Sequence, residues 1–259
     1  METNYPPLNV PAAPEYVLSV IEDQRRQQSE FGFEDGFEDA LTFDSTVAQW
    51  FALYDVPPHW RRLGRALNEE WAIRCTDKQW KSVLKPARQR TLRDVCGLIA
   101  AHATQPEVRP ISLMGKPCRT AGTFLTIRHF LREAGAEVSD IAPSTLLAPY
   151  LRRYVNVFLG PISRLAPGTL PVVKIRMASI HRAVGFALIL SVLLMLSGFP
   201  LGHWLALAGP LLVSTGGLMA ILFILLLCIT SRFRPASVEF GNLRTFRDIS
   251  TLLAARSDT

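Results

Sequence analysis

The chain has 259 residues, 49% of them apolar, enough to bury one good core and to form one or two domains. Its formal net charge of +6 raises the question of nucleic acid, but the surplus is local: no Asp or Glu occurs from Ile141 to Val238. A nucleic-acid partner is therefore not expected, and Cys75, Cys96, Cys118 and Cys228, with no CxxC pair and no zinc-type spacing, read as free thiols.

Residues 1–14 hold Pro6, Pro7, Pro11 and Pro14 and little apolar content, which predicts a disordered tail, and the first residues lack the basic and apolar regions of a signal peptide. From Glu15 onward, Val17, Leu18, Val20 and Ile21 recur at helical spacing. Residues 31–39 alternate aromatic and acidic side chains. An EF-hand would need oxygen ligands where Phe31 and Phe33 stand, so this segment reads as a solvated acidic loop. A helix is expected over Thr46 to Tyr54, capped by Asp44 or Ser45. Pro57 and Pro58 open the next, with Trp60, Leu63, Leu67 and Trp71 on one face and Arg61, Arg62 and Arg65 on another. A short helix from Thr76-Asp77 runs through Trp80, Val83 and Leu84, and Thr91 caps a helix whose stripe is Leu92, Val95, Cys96, Ile99 and Ala100. Trp50, Trp60, Trp71 and Trp80 are assigned to the core.

Residues 15–104 thus read as a helical bundle. The breaker-rich stretch 105–120 is expected to be a linker, 121–170 a second helical unit, and 171–182 a basic segment leading to a membrane. Two uncharged apolar runs, Ala183–Phe199 and Leu205–Ile229, make residues 183–230 an expected transmembrane hairpin. Lys174, Arg176 and Arg182 flank one end, Arg232 and Arg234 the other, and Trp204 suits the headgroup layer. The expectation is a multi-pass protein of the inner membrane with both termini cytoplasmic and the basic residues on anionic lipid headgroups. No ionisable side chain lies inside either run, which disfavours transport. The remainder, 231–259, is expected to be a cytoplasmic tail with an amphipathic helix from about Asn242 to Ala255, and the fold class all-α.

Asp44-Ser45-Thr46, then Ala66-Leu67-Asn68-Glu69-Glu70-Trp71-Ala72-Ile73, then Thr76-Asp77 and Thr91-Leu92-Arg93-Asp94-Val95 follow one another in an order and spacing that resembles the acyl carrier proteins. The resemblance covers about a quarter of the chain, from Asp44 to Ala103, and implies a carrier-like helical domain. In that family a Ser at the start of the helix ending in Glu-Glu-Phe bears phosphopantetheine. Here that helix opens with Val56-Pro57-Pro58-His59 and has no hydroxyl there, so Ser45 is left as the candidate attachment residue. Arg61, Arg62 and Arg65 stand on the helix that is acidic in carriers, which implies partners of opposite charge. Ile141-Ala142-Pro143-Ser144-Thr145 loosely resembles the family's loop again, as a degenerate second copy would.

Catalytic candidates are few. Cys118 lies between Lys116 and Arg119 just before an expected helix, a setting that favours a thiolate, and His129 follows on that helix. No HExxH, GxGxxG or Walker-type spacing occurs, and neither a metal nor a cofactor is expected. The sequence therefore points to a membrane-anchored, non-enzymatic helical module that binds another protein. A carrier-like domain in membrane-associated acyl or lipid synthesis, and a thiol enzyme using Cys118, are the alternatives.

Overall fold

The computed structural model describes residues 5–28, 40–52, 54, 57–113, 115–176 and 237–256. The chain divides into two compact units, one of Met1–Lys174 with Glu239–Thr259 and one of Ile175–Val238. All the helices described below belong to the first.

The first strand, β1 (Leu8–Pro11), precedes α1 (Pro14–Gln28), which opens on a proline whose fixed φ suits a first helical turn. Val17, Val20 and Ile21 bury one face of α1 against α5 (Leu92–Ala100), which contributes Leu92, Val95, Cys96 and Ile99. Between them lie α2 (Val47–Phe51), α3 (Trp60–Glu70) and α4 (Asp77–Leu84). Reciprocal capping boxes start two of these. Thr46 and Gln49 exchange side-chain and backbone bonds at α2, and Thr76 and Gln79 do so at α4, so Thr46, rather than Asp44 or Ser45, is the cap.

One side chain fastens α3 to α4. Asn68 Oδ1 accepts from Trp80 Nε1 at 3.1 Å and from the Cys75 N–H at 3.1 Å, while its Nδ2 donates to the Cys75 carbonyl at 2.8 Å. Trp80 is thereby held, 1% exposed, against Gly64. The chain leaves α3 through Ala72 at φ 51°, with the Ile73 N–H returning to the Asn68 carbonyl at 2.9 Å, a helix ending that ordinarily uses glycine.

The all-α expectation is corrected by three two-stranded sheets. β1 pairs antiparallel with β2 (Thr104–Glu107), and β3 (Ile111–Leu113) with β4 (Lys116–Cys118). The physical reason is local: Pro106, Pro110 and Pro117 have no N–H to give a helix, so the segments between them remain extended and pair. The expected linker 105–120 thus carries strands inside a compact unit, and Leu8–Pro11, in the expected tail, is one of them.

The second half begins with α6 (Arg119–Glu133) and α7 (Ala148–Val157), passes through a π-helical turn at Phe158–Ile162 and a short 3-10 turn at Ser163–Leu165, and reaches β5 (Val173–Arg176). β5 pairs with β6 (Ser237–Phe240), and α8 (Phe246–Arg256) follows. Phe246, Ile249 and Leu253 are buried where α8 packs on α6, so the C-terminal helix docks on the protein's own core.

This second half repeats the first. Arg90-Thr91-Leu92-Arg93-Asp94 at the start of α5 reappears as Arg244-Thr245-Phe246-Arg247-Asp248 at α8, and Ala100-Ala101 as Ala254-Ala255. The hydrogen bonds agree one by one. In the first copy Val47 N–H donates to the Arg90 carbonyl (2.8 Å), Leu92 N–H to Ser45 (2.9 Å) and Arg93 N–H to Phe43 (3.1 Å). In the second, Leu147 N–H donates to Arg244 (2.9 Å), Phe246 N–H to Thr145 (3.1 Å) and Arg247 N–H to Pro143 (2.7 Å). Thr42 N–H bonds Ser45 Oγ at 2.9 Å, and Ala142 N–H bonds Thr145 Oγ1 at 2.9 Å. Isolated bridges complete the match at Thr46 with Thr91 and Leu146 with Thr245. The first copy fills the interval before its last helix with α3 and α4, whereas the second holds there the long stretch that includes residues 177–236.

The expected membrane hairpin is likewise corrected: among the described residues no helix is long and apolar enough to cross a membrane. The runs 183–199 and 205–229, with Arg182, Trp204, Arg232 and Arg234, lie outside the described residues, as does the acidic segment 31–39. The inner-membrane placement with a membrane-interface collar is withdrawn with it; Lys174, in β5, is an exposed strand residue.

Candidate functional site

A groove of about 610 Å³ opens beside α4, lined by Trp60, Lys78, Lys81, Ser82, Lys85 and Pro86. The sequence builds it simply. Asp77 to Leu84 is amphipathic, with Trp80 and Leu84 buried, so that Lys78, Lys81 and Lys85, spaced three and four residues apart, share the opposite, solvent-facing side. Lys81 also sits in the last turn of α4, where the carbonyl end of the helix favours a cation.

Trp60, the first residue of α3, supplies an apolar wall. His59 precedes it without a side-chain cap bond, and its ring is 6.0 Å from that of Trp60. The Arg61 guanidinium carbon lies 5.1 Å from the centre of the Trp60 ring and its Nε 3.5 Å from Asp77 Oδ2, an exposed pair between α3 and α4. Arg62 and Arg65 are exposed on α3. Trp60 is partly buried and packs against the core in which Trp50, Trp71 and Trp80 are buried, so one of the four expected core tryptophans lies at its edge. Its position at a helix start after two prolines is the signal in the sequence that sets it apart.

Ser45 is occupied structurally. Its Oγ accepts the Thr42 N–H at 2.9 Å and closes the turn that pairs with the start of α5. Cys118 ends β4 at the N-cap of α6 and is half-buried. His129, eleven residues on, is about 16 Å further along the helix axis and sits 3.4 Å from Glu133, so the two are not brought together. No cluster of three or more His, Cys, Asp or Glu able to hold a metal occurs among the described residues.

Two buried thiols are chemically quiet. Burial pushes the Cys96 thiol up to about 12, with the Glu15 carboxylate adding to it, and burial also raises Cys75. What the groove offers instead is an aromatic wall, three primary ammonium groups and a hydroxyl, an arrangement of positive charge beside an apolar surface. No protein family, no curated protein and no solved structure matches the chain.

Proposed function

We propose that the protein is a non-enzymatic helical interaction module that docks an acidic segment of another protein on the α3–α4 face. The observation that carries this reading is the groove itself: Lys78, Lys81 and Lys85 presented together by one side of α4 beside the partly exposed ring of Trp60. Each lysine is a solvated point charge that gains from a facing carboxylate, and the tryptophan gives an apolar side chain of the partner a place to leave water. Arg61, Arg62 and Arg65 extend the positive field along α3 and would raise the rate of encounter more than the final affinity.

The test is binding of fluorescein-labelled polyglutamate to the full chain, followed by anisotropy. Binding should weaken steeply with salt, and roughly tenfold or more when Lys78, Lys81 and Lys85 are replaced by Glu. Trp60→Ala should reduce affinity at high salt as well, where screening has removed much of the charge contribution. Polyglutamate binding that is indifferent to the triple replacement would overturn the assignment of this face.

A further inference from the structure

The two copies of the repeated unit share a backbone corner and differ in what stands on it. In the first copy the corner is answered from within the chain. Asp44 Oδ1 pairs with Arg93 Nη2 at 3.1 Å, the Arg93 guanidinium lies 5.0 Å from the Phe43 ring centre, and Thr46 is engaged with Gln49 in a capping box. The same backbone positions in the second copy, fixed by the matching hydrogen bonds, carry Ser144, Arg247, Pro143, Leu146 and Pro149.

Each exchange removes an internal partner. Ser144 offers no carboxylate to Arg247. Pro149 cannot return a side-chain bond as Gln49 does, and the N-cap of α7 falls one position later than that of α2, on Leu147, with no side-chain cap bond. Leu146 is 61% exposed, the most exposed large hydrophobic among the described residues. Around it Arg244 and Arg247 are exposed on the α8 side, and Arg152 is exposed one turn beyond Ala148 on α7. Of the carboxylates on the adjoining turns, Asp248 accepts the N–H groups of Arg244 and Thr245 at 3.0 and 2.9 Å and also feels the charge of Arg247, and Asp140 faces Ser139 Oγ at 3.3 Å. A corner that closes on itself in one copy carries in the other an exposed apolar side chain, with exposed arginines at neighbouring backbone positions.

We infer that the second-copy corner is an interaction surface for an acidic segment of another protein, which places one apolar side chain on Leu146 and Pro143 and its carboxylates on Arg244 and Arg247. Arginine suits this role because its planar fork can take a carboxylate through two parallel bonds, and because its weak hydration lowers the cost of leaving water. This surface is separate from the α3–α4 groove and belongs to the other copy.

The experiment is selection of a library of random peptides on the full chain with Lys78, Lys81 and Lys85 replaced by Glu, so that the groove no longer attracts acidic peptides, and the retained peptides are measured against two further variants made in that background. Retained peptides should carry carboxylates flanking an apolar residue, and their affinity should fall about tenfold with Leu146→Thr, the residue of the first copy. Ser144→Asp should weaken them as well, by giving Arg247 the internal partner that Asp44 gives Arg93. Both corner positions are exposed, and an unchanged melting temperature would show that each variant folds. Failure to retain any acidic peptide overturns the inference, as does retention of peptides indifferent to Leu146→Thr and Ser144→Asp.

Discussion

Arg164 lies across Trp71, its guanidinium carbon 4.6 Å from the ring centre, and in that position joins the two copies. The same guanidinium gives Nη2 to Glu70 Oε1 at 2.8 Å and Nη1 to the Glu70 carbonyl at 3.0 Å, and the Arg164 carbonyl accepts the Tyr16 hydroxyl at 2.9 Å. Lysine cannot reproduce a flat group that stacks and donates twice. Arg164→Lys should therefore destabilise the protein by about 1–3 kcal/mol in urea unfolding, a range set by charge-assisted hydrogen bonds and cation–π contact. Equal stability of the two proteins would show that the contact is incidental.

Tyr16 shares this junction and gives it an alkaline limit. Burial raises its phenol above the ordinary tyrosine range, and the charge of Arg164 only partly opposes that. A folded-state pKa above the unfolded value means that the contribution is complete below about pH 10 and is lost as pH rises through the folded pKa. Tyr16→Phe should flatten that alkaline decline in a melting-temperature profile. A profile as steep as the parent's would remove Tyr16 from the cause.

The acid limit comes from the other end of the chain. Backbone N–H groups of Arg244 and then Thr245 hold the Asp248 carboxyl below the usual carboxylate range. With a depressed folded pKa, its stabilisation is present above about pH 4 and disappears as pH falls through the folded value. Asp248→Asn should lower the melting temperature at neutral pH and converge with the parent in acid. Curves that run parallel to low pH would contradict this.

Two positions respond oppositely to one methyl group. A Cβ at Gly122 would fall 2.0 Å from the Arg109 backbone oxygen, which cannot swing aside as a side chain might, so Gly122→Ala should cost on the order of 1–3 kcal/mol. At Ala72, φ is 51°, and Ala72→Gly should stabilise by about 1 kcal/mol by relieving left-handed backbone. Denaturant midpoints would check both signs.

Thiol labelling at mildly alkaline pH should rank the cysteines by burial. Cys118, half-buried at the start of α6, should react with iodoacetamide well before Cys75 and Cys96, since burial disfavours both thiolates. Peptide mapping that finds Cys96 labelled as fast as Cys118 would mean that the α1–α5 core opens readily.

Much of the first copy can be read directly from residue patterns. The α5 stripe of Leu92, Val95, Cys96 and Ile99 and its Thr91 start agree with the structure, because a capping box beside a 3.6-residue period is a strong local signal. The strands escape notice because three or four residues interrupted by Pro106 or Pro117 show no alternation. The cap of α2 is expected at Asp44 or Ser45, and only the partner Gln49 moves it to Thr46. The repeat was partly visible at Ile141 to Thr145, but its firmer half, Arg-Thr-x-Arg-Asp, stands at Arg90 and again at Arg244, with the intervening stretch hiding the correspondence. At the groove, the three arginines of α3 are legible as a basic face, whereas the lysines of α4 become a site only once Asn68 sets the two helices side by side.

The way α8 completes the second copy has a bearing on synthesis. The first copy holds its α1–α5 pair once residues up to Ala100 exist, and can close while the ribosome is still working. α6 is made soon afterwards, yet the side chains that cover it, Phe246, Ile249 and Leu253, are translated more than a hundred residues later. For that interval one half of a duplicated protein is finished and the other exposes an apolar helix. A chaperone that reads nascent chains would meet α6 in that interval, and a stop codon placed before Phe246 should turn a brief exposure into a permanent one, leaving the second copy without its closing helix.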